Sequence, residues 1–143
     1  MDPTCIFCRI VRGEIPAAKV LETDRALAIL DINPVNPGHT LILPKPHHST
    51  LSELPEELSA HVAAQLPRLC RAIRAATGAA GLNVVLNHGV IAGQTIHHVH
   101  WHILPRHSHD HVHWPWPHVS YAEGELARLQ TRIADALTNP PDA

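Results

Sequence analysis

Long apolar runs are missing from this 143-residue chain: no stretch approaches the ~20 residues a membrane-spanning helix needs, so no membrane partner is expected. An excess of charge of either sign is missing too. Eleven Lys and Arg face 13 Asp and Glu, a formal net charge of −2, which leaves no basic field to attract nucleic acid or an anionic membrane surface. Cysteine is sparse, with three residues in no disulfide-scaffold pattern. The opening residues MDPTCIFCRI lack a basic segment followed by an apolar run, which argues against a signal peptide. These absences make a reducing cytoplasm the expected compartment. Internal repeats and low-complexity linkers are also lacking, and the length suits one domain, residues 1–143, with a real core.

Histidine and proline are abundant, with 14 and 13 residues. The histidines make metal contact and proton chemistry plausible, while a count alone cannot choose between them. Cys5 to Ile10 reads as a compact turn or short helix, broken by Gly13-Glu14-Ile15-Pro16. Val20–Glu22 and Ala26–Asp31 are β-rich runs joined through Thr23-Asp24-Arg25 as a hairpin. Asn33 to Gly38 is a loop stiffened by Pro34 and Pro37, and Thr40–Leu43 is a third strand stopped by Pro44 and Pro46. From Pro55 to Ala76 the apolar residues Leu58, Val62, Leu66, Leu69, Ile73 and Ala76 recur at three- and four-residue steps. This spacing predicts a long helix, kinked at Pro67 and ended by Gly78. Leu82–Asn87 is a fourth strand, His88–Gln94 a turn and Thr95–Leu104 a fifth strand. Residues 105–120 are irregular, and Glu123–Leu137 is a second, shorter amphipathic helix before a proline-containing tail. The expected fold class is α+β, an antiparallel five-stranded sheet with helices packed on it.

The densest histidine run is His98-Val99-His100-Trp101-His102. On a strand, alternation puts the three imidazoles on one face and Val99, Trp101 and Ile103 on the other. The apolar face gives the strand a reason to be buried, and the histidine face does not. Such a row can bind a metal, shuttle protons or attack an electrophile. Cys5 and Cys8 form a second constellation, a Cys-x-x-Cys that supplies half of a tetrahedral zinc site; buried reduced cysteines or a redox pair are the alternatives. His107, His109, His111 and His113 also alternate, but Ser108 and Asp110 between them build no apolar face, so an exposed loop is expected. Cys70 falls among Leu66, Leu69 and Ile73 and reads as an ordinary core residue.

The run Gly93-Gln94-Thr95-Ile96-His97-His98-Val99-His100-Trp101-His102-Ile103-Leu104-Pro105-Arg106 resembles the signature of the histidine triad family, His-φ-His-φ-His-φ-φ with φ apolar. Further blocks occur in the family's order: Leu30-Asp31-Ile32, then Gly38-His39-Thr40-Leu41-Ile42-Leu43-Pro44-Lys45, then Asn87 before Gly93. His97 and Trp101 depart from the residues expected at their positions. The resemblance spans roughly residues 5–106 and implies a nucleotide hydrolase or transferase acting at the α-phosphorus of a purine nucleoside phosphoramidate or related conjugate. It implies His100 as nucleophile, His102 as a phosphate ligand and His39 as a proton relay. It also implies that Thr95 and Asn87 contact the phosphate or leaving atom, that the Gly93-Gln94-Thr95 backbone approaches the phosphate, and that Asp31 accepts hydrogen bonds from ribose.

Zinc enters through a branch of that family, in which the Cys-x-x-Cys is completed by two histidines. The resemblance assigns these to His47, chosen over His48 by register, and to His98. The metal would be structural, and the chemistry needs no catalytic cofactor. A homodimer joined through the sheets and the long helix is likewise implied. Two other readings remain: a dinucleoside polyphosphate hydrolase, slightly favoured by Leu104-Pro105-Arg106, and a non-catalytic nucleotide or metal sensor.

Overall fold

A computed structural model of the chain describes residues 2–113 and 115–139; the proline-containing tail from residue 140 lies outside the described residues. Five strands form one antiparallel sheet: β1 (Lys19–Glu22), β2 (Ala26–Leu30), β3 (Thr40–Pro44), β4 (Gly81–Leu86) and β5 (Trp101–Arg106). Their spatial order is β1-β2-β3-β5-β4. The helices are α1 (Ile6–Val11), α2 (Glu56–Ala63), α3 (Leu66–Thr77) and α4 (Glu125–Thr138). None of the described helices is long and apolar enough to cross a membrane.

Strand alternation divides the core in two. Ala26, Ala28 and Leu30 of β2, Ile42 of β3 and Ile103 of β5 meet Leu69, Ile73, Leu129 and Ile133 of α3 and α4. Leu27, Ile29, Leu41 and Leu43 point to the opposite face and meet Phe7, Cys8 and Ile10 of α1. The sheet is therefore buried on both sides, and β2 and β3 are buried along their whole length.

Three expectations change. The stretch from Pro55 to Ala76 is two helices instead of one kinked helix. Pro67 has no N–H to donate, and its ring would clash with the carbonyl four residues back, at Ala63. The chain breaks at Ala64–Gln65, and α3 starts afresh with Pro67 in its first turn, where a missing N–H costs nothing. The third strand continues through Pro44, which pairs with Ala26.

The fifth strand begins at Trp101, not Thr95, so His98 and His100 precede the ladder and only His102 belongs to it. The approach is irregular, with the Val99 N–H donating to the His48 carbonyl at 2.8 Å. Alternation of side chains survives regardless: Val99 packs on Leu54 and Leu58, Trp101 beside it, and Ile103 in the main core. His97, outside the strand, is exposed, so no burial constrains that position.

Two glycines position the site's neighbours. Gly78 ends α3 at φ +69° in the left-handed region, its N–H donating to the Arg74 carbonyl. Gly38, at φ +93°, lies so close to α3 that a Cβ would come within 2.5 Å of the Thr77 methyl. This contact sets the start of β3 and with it His39.

Candidate active site

The three central histidines are buried, contrary to the sequence expectation for that face: His98 and His100 are 0% and 5% exposed, and His102 is 9%. What covers them is α1, a short helix whose buried residues Phe7, Cys8 and Ile10 also close the second core. Phe7 meets His100 edge-on with ring centroids 5.1 Å apart, and His98 at 5.8 Å.

Hydrogen bonds assign the proton positions on these rings. His100 Nδ1 lies 2.7 Å from the carbonyl of His98, which can only accept, so Nδ1 carries the proton and Nε2 keeps its lone pair. Burial lowers the His100 pKa, with the His98 carbonyl partly opposing it, so the ring is neutral at pH 7. The backbone N–H of Val35 donates to His39 Nδ1 at 3.3 Å, which makes His39 Nε2 the donor to His102 Nδ1 at 3.0 Å. His102 must then carry its proton on Nε2. Burial, reinforced by neighbouring His100, lowers the His102 pKa to about 3, and burial holds His39 well below its ordinary value. Trp116 stands edge-on to His102, centroids 5.0 Å apart, and backs this pair.

His100 and His102 open into a cleft of about 490 Å³, a volume suited to a small-molecule ligand. One part of its lining is apolar, with Ile6, Phe7, Ile10, Ile15, Ile29 and Leu41; the other carries Asp31, Asn33, Thr95, His100, His102 and His118. Asp31 serves two ends at once. Its Oδ1 accepts the Asn33 N–H at 2.9 Å, the loop-capping role typical of aspartate, while the residue also faces the cleft. Burial raises its pKa.

Beside this cleft, ligand atoms of Cys5, Cys8, His47 and His98 lie within 4.8 Å of one another. The His98 Nδ1 is 3.5 Å from the Cys5 Sγ and 3.7 Å from the Cys8 Sγ, and His47 Nδ1 is 3.4 Å from the Cys8 Sγ. Zn–S and Zn–N bonds of about 2.3 and 2.0–2.1 Å at a tetrahedral angle put S and N ~3.5 Å apart, so the spacing fits zinc. His98 Nε2 donates to the Pro44 carbonyl at 2.8 Å, aiming the Nδ1 lone pair at the thiols, as metal-binding histidines commonly arrange. His47, not His48, joins this group; the His48 carbonyl accepts the Val99 N–H.

Of the remaining expected site residues, Asn87, Gly93 and Gln94 do not line the cleft. Asn87 Nδ2 donates to the Gly93 carbonyl at 3.3 Å. The buried Gln94 side chain accepts the Gly89 N–H at 2.8 Å and donates to the Ser49 and Ile96 carbonyls, bracing the turn that carries Thr95. Phe7, Trp116 and His118 were not anticipated. Phe7 sits inside the Cys-x-x-Cys, whose spacing was the available signal. Trp116 and His118 come from a stretch without periodicity, which offered none. His107, His109, His111 and His113 are exposed, as the interleaved Ser108 and Asp110 predicted, and they do not line the cleft. Cys70 is half-buried against the main core.

Comparison with known proteins places this geometry among relatives. A family model described as HIT domain matches residues 12–109. Adenosine 5'-monophosphoramidase hnt1 of Schizosaccharomyces pombe is 41% identical over 135 residues, covering 94% of this chain and 98% of that protein. Adenylylsulfatase HINT3 of Arabidopsis thaliana is 46% identical over 106 residues, 74% of this chain, which spans about half (54%) of that relative's length. Among solved structures, a zinc-bound histidine triad family protein from Mycobacterium smegmatis superposes with a TM-score of 0.82 at 36% identity, covering 95% of this chain and 97% of that one. With the family model matching residues 12–109 and a relative 41% identical along nearly the whole of both chains, the chain belongs to the HIT domain family, the histidine triad proteins.

Proposed function

We propose that the protein is a hydrolase or transferase of nucleoside phosphoramidates and related nucleotidyl conjugates, purine nucleotides foremost, with reaction at the α-phosphorus. The observation that carries this is the 2.7 Å contact from His100 Nδ1 to the His98 carbonyl, which leaves a neutral Nε2 lone pair beside the cleft. Nε2 forms a bond to phosphorus, and the leaving group departs with the electrons of its bond and takes a proton from solvent, which the water of the second step gives back. Water then attacks phosphorus and breaks the Nε2–P bond, releasing the nucleoside monophosphate. The His102 Nε2–H supplies a hydrogen bond to a phosphate oxygen as charge builds there. His39 orients His102. The Val35 N–H donates to its far nitrogen, which leaves Nδ1 no proton to exchange with the Asp31 carboxylate 3.5 Å away, and this supports orientation over relay. The apolar part of the cleft suits a base, and Asp31 a ribose hydroxyl. The named activities of the S. pombe and A. thaliana relatives support the substrate class.

A polyphosphate substrate finds less support. Arg106 donates to Asp110 at 2.8 and 2.7 Å and to Asn83 at 2.6 Å, and it does not line the cleft.

We propose further that Cys5, Cys8, His47 and His98 hold a structural zinc, which would tie α1 to β3 and the approach to β5. A reducing cytoplasm would keep both thiols available as ligands. A homodimer across β4 is the third part of this reading: β4 is an edge strand, and Val84 on it is exposed.

Mass spectrometry after mixing the protein with adenosine 5'-phosphoramidate tests the chemistry. The expected result is a trapped adenylyl group on His100, with turnover abolished and nucleotide binding retained in His100→Ala. Turnover retained in that variant would overturn the mechanism.

A further inference from the structure

We propose that His118 is a specificity-determining residue, the partner of Asp31 in gripping the two ribose hydroxyls of the nucleotide; this rests on the nucleotide reading above. His118 belongs to a segment with no regular structure, yet hydrogen bonds hold that segment to the Asp31–Asn36 loop at three points. The His118 Nδ1 lies 2.8 Å from the Asn33 carbonyl, the Val119 N–H donates to the Pro34 carbonyl at 2.8 Å, and the Tyr121 hydroxyl donates to the Asp31 carbonyl at 3.0 Å. Asn33 is the hinge of the arrangement. Its N–H binds the Asp31 carboxylate and its carbonyl binds His118, so one residue sets the two side chains beside each other at the cleft.

The chemistry of the pair selects its ligand. A carbonyl only accepts, so His118 Nδ1 carries the proton and Nε2 is the ring's remaining polar atom, an acceptor in the neutral imidazole. Asp31 offers a second acceptor in Oδ2: Asn33 takes Oδ1, and His39 Nδ1, 3.5 Å from Oδ2, accepts the Val35 N–H and so has no proton to give it. Two acceptors side by side disfavour a phosphate, whose oxygens also accept, and they suit a vicinal diol, which presents two O–H donors. The phosphate has its own donor in the His102 Nε2–H. The ribose 2'- and 3'-hydroxyls are the diol a nucleotide brings.

Titration calorimetry of the full chain with adenosine 5'-monophosphate and its 2'-deoxy and 3'-deoxy analogues tests the assignment. His118→Asn keeps an amide donor where Nδ1 meets the Asn33 carbonyl but removes the Nε2 acceptor; His118→Ala removes both. In the unaltered protein the ribonucleotide is expected to bind about five- to tenfold tighter than the analogue lacking the hydroxyl that His118 holds, the value of one hydrogen bond. That preference should collapse toward unity in both variants, while affinity for that analogue in His118→Asn stays unchanged. An unaltered preference in the variants, or an equal loss for all three nucleotides, would overturn the proposal. Failure of the unaltered protein to bind any of the three would instead overturn the nucleotide reading itself.

Discussion

His39 Nε2 lies 3.0 Å from His102 Nδ1, and this contact decides which nitrogen of His102 faces the cleft with a proton on it. Without it, His102 would be free to hold its proton on Nδ1 and present a lone pair to the phosphate. His39→Ala is therefore expected to lower kcat about tenfold, the cost of one misassigned hydrogen bond, with KM changed little. His39→Gln, which retains a side-chain N–H near the Nε2 position, should recover part of the loss. Steady-state kinetics of both variants checks this, and an unchanged kcat in His39→Ala would remove His39 from the site.

Asp110 organises the turn after β5, to which His107 contributes through its backbone. Its carboxylate accepts from Arg106 at 2.8 and 2.7 Å, from the His107 N–H at 2.9 Å and from Asn36 Nδ2 at 3.1 Å. Asp110→Ala should destabilise the fold by about 2 kcal/mol, since it strands several donors at once. Replacing His107, His109, His111 and His113 together by alanine should change stability by less than about 0.5 kcal/mol, as expected for exposed positions. Denaturant unfolding measures both, and comparable losses would contradict the assignment.

Those two stretches show what was legible in the sequence and why. That Asp31, His100 and His102 meet at one cleft, and that Cys5, Cys8, His47 and His98 form one group, was legible through the flanking blocks and the family resemblance they carry, and the antiparallel order followed from hairpin-like strand succession. The break at Ala64–Gln65 was visible only as Pro67. Periodicity ran straight through it, because Leu58 and Val62 of α2 and Leu69 and Ile73 of α3 are all buried on the sheet side. The start of β5 was misplaced because alternation of Val99 and Trp101 persists where the backbone ladder does not. Burial of the histidines depends on α1 folding over them, a contact from more than 80 residues away that local pattern does not carry. His118 reaches the cleft, and Trp116 the rings of His39 and His102, from an irregular segment for which no periodicity exists.

Stability should fall as pH drops below neutrality. The His102 ring has an ordinary pKa of 6.5 and is held near 3 in the fold by burial and by His100; His39 and His100 are lowered in the same direction, by burial first. Below about pH 6.5 the unfolded chain takes up protons that the folded chain refuses, so stability is full above that value and is lost as pH descends toward the folded pKa. Each such group adds a slope of about 1.4 kcal/mol per pH unit within that window. Tm measured from pH 7.5 to 5 should decline, and the decline should shrink in His102→Gln. A flat profile would mean that these rings are not held neutral.

Metal loss should act on the cleft as well as on the fold. The quartet joins α1, through Cys5 and Cys8, to His47 beyond β3 and His98 before β5, and α1 supplies Ile6, Phe7 and Ile10 to the cleft wall. Zinc at this point would restrain a six-residue helix that is too short to persist without tertiary contacts. Protein purified without chelator is expected to carry about one zinc per chain by elemental analysis. Cys8→Ser should lose that metal, lower Tm by on the order of 10 °C and raise KM more than it lowers kcat, because the wall loosens while His100 keeps its bond to the His98 carbonyl. Equal metal content and equal Tm in Cys8→Ser would show that the four residues pack as reduced core side chains and hold nothing.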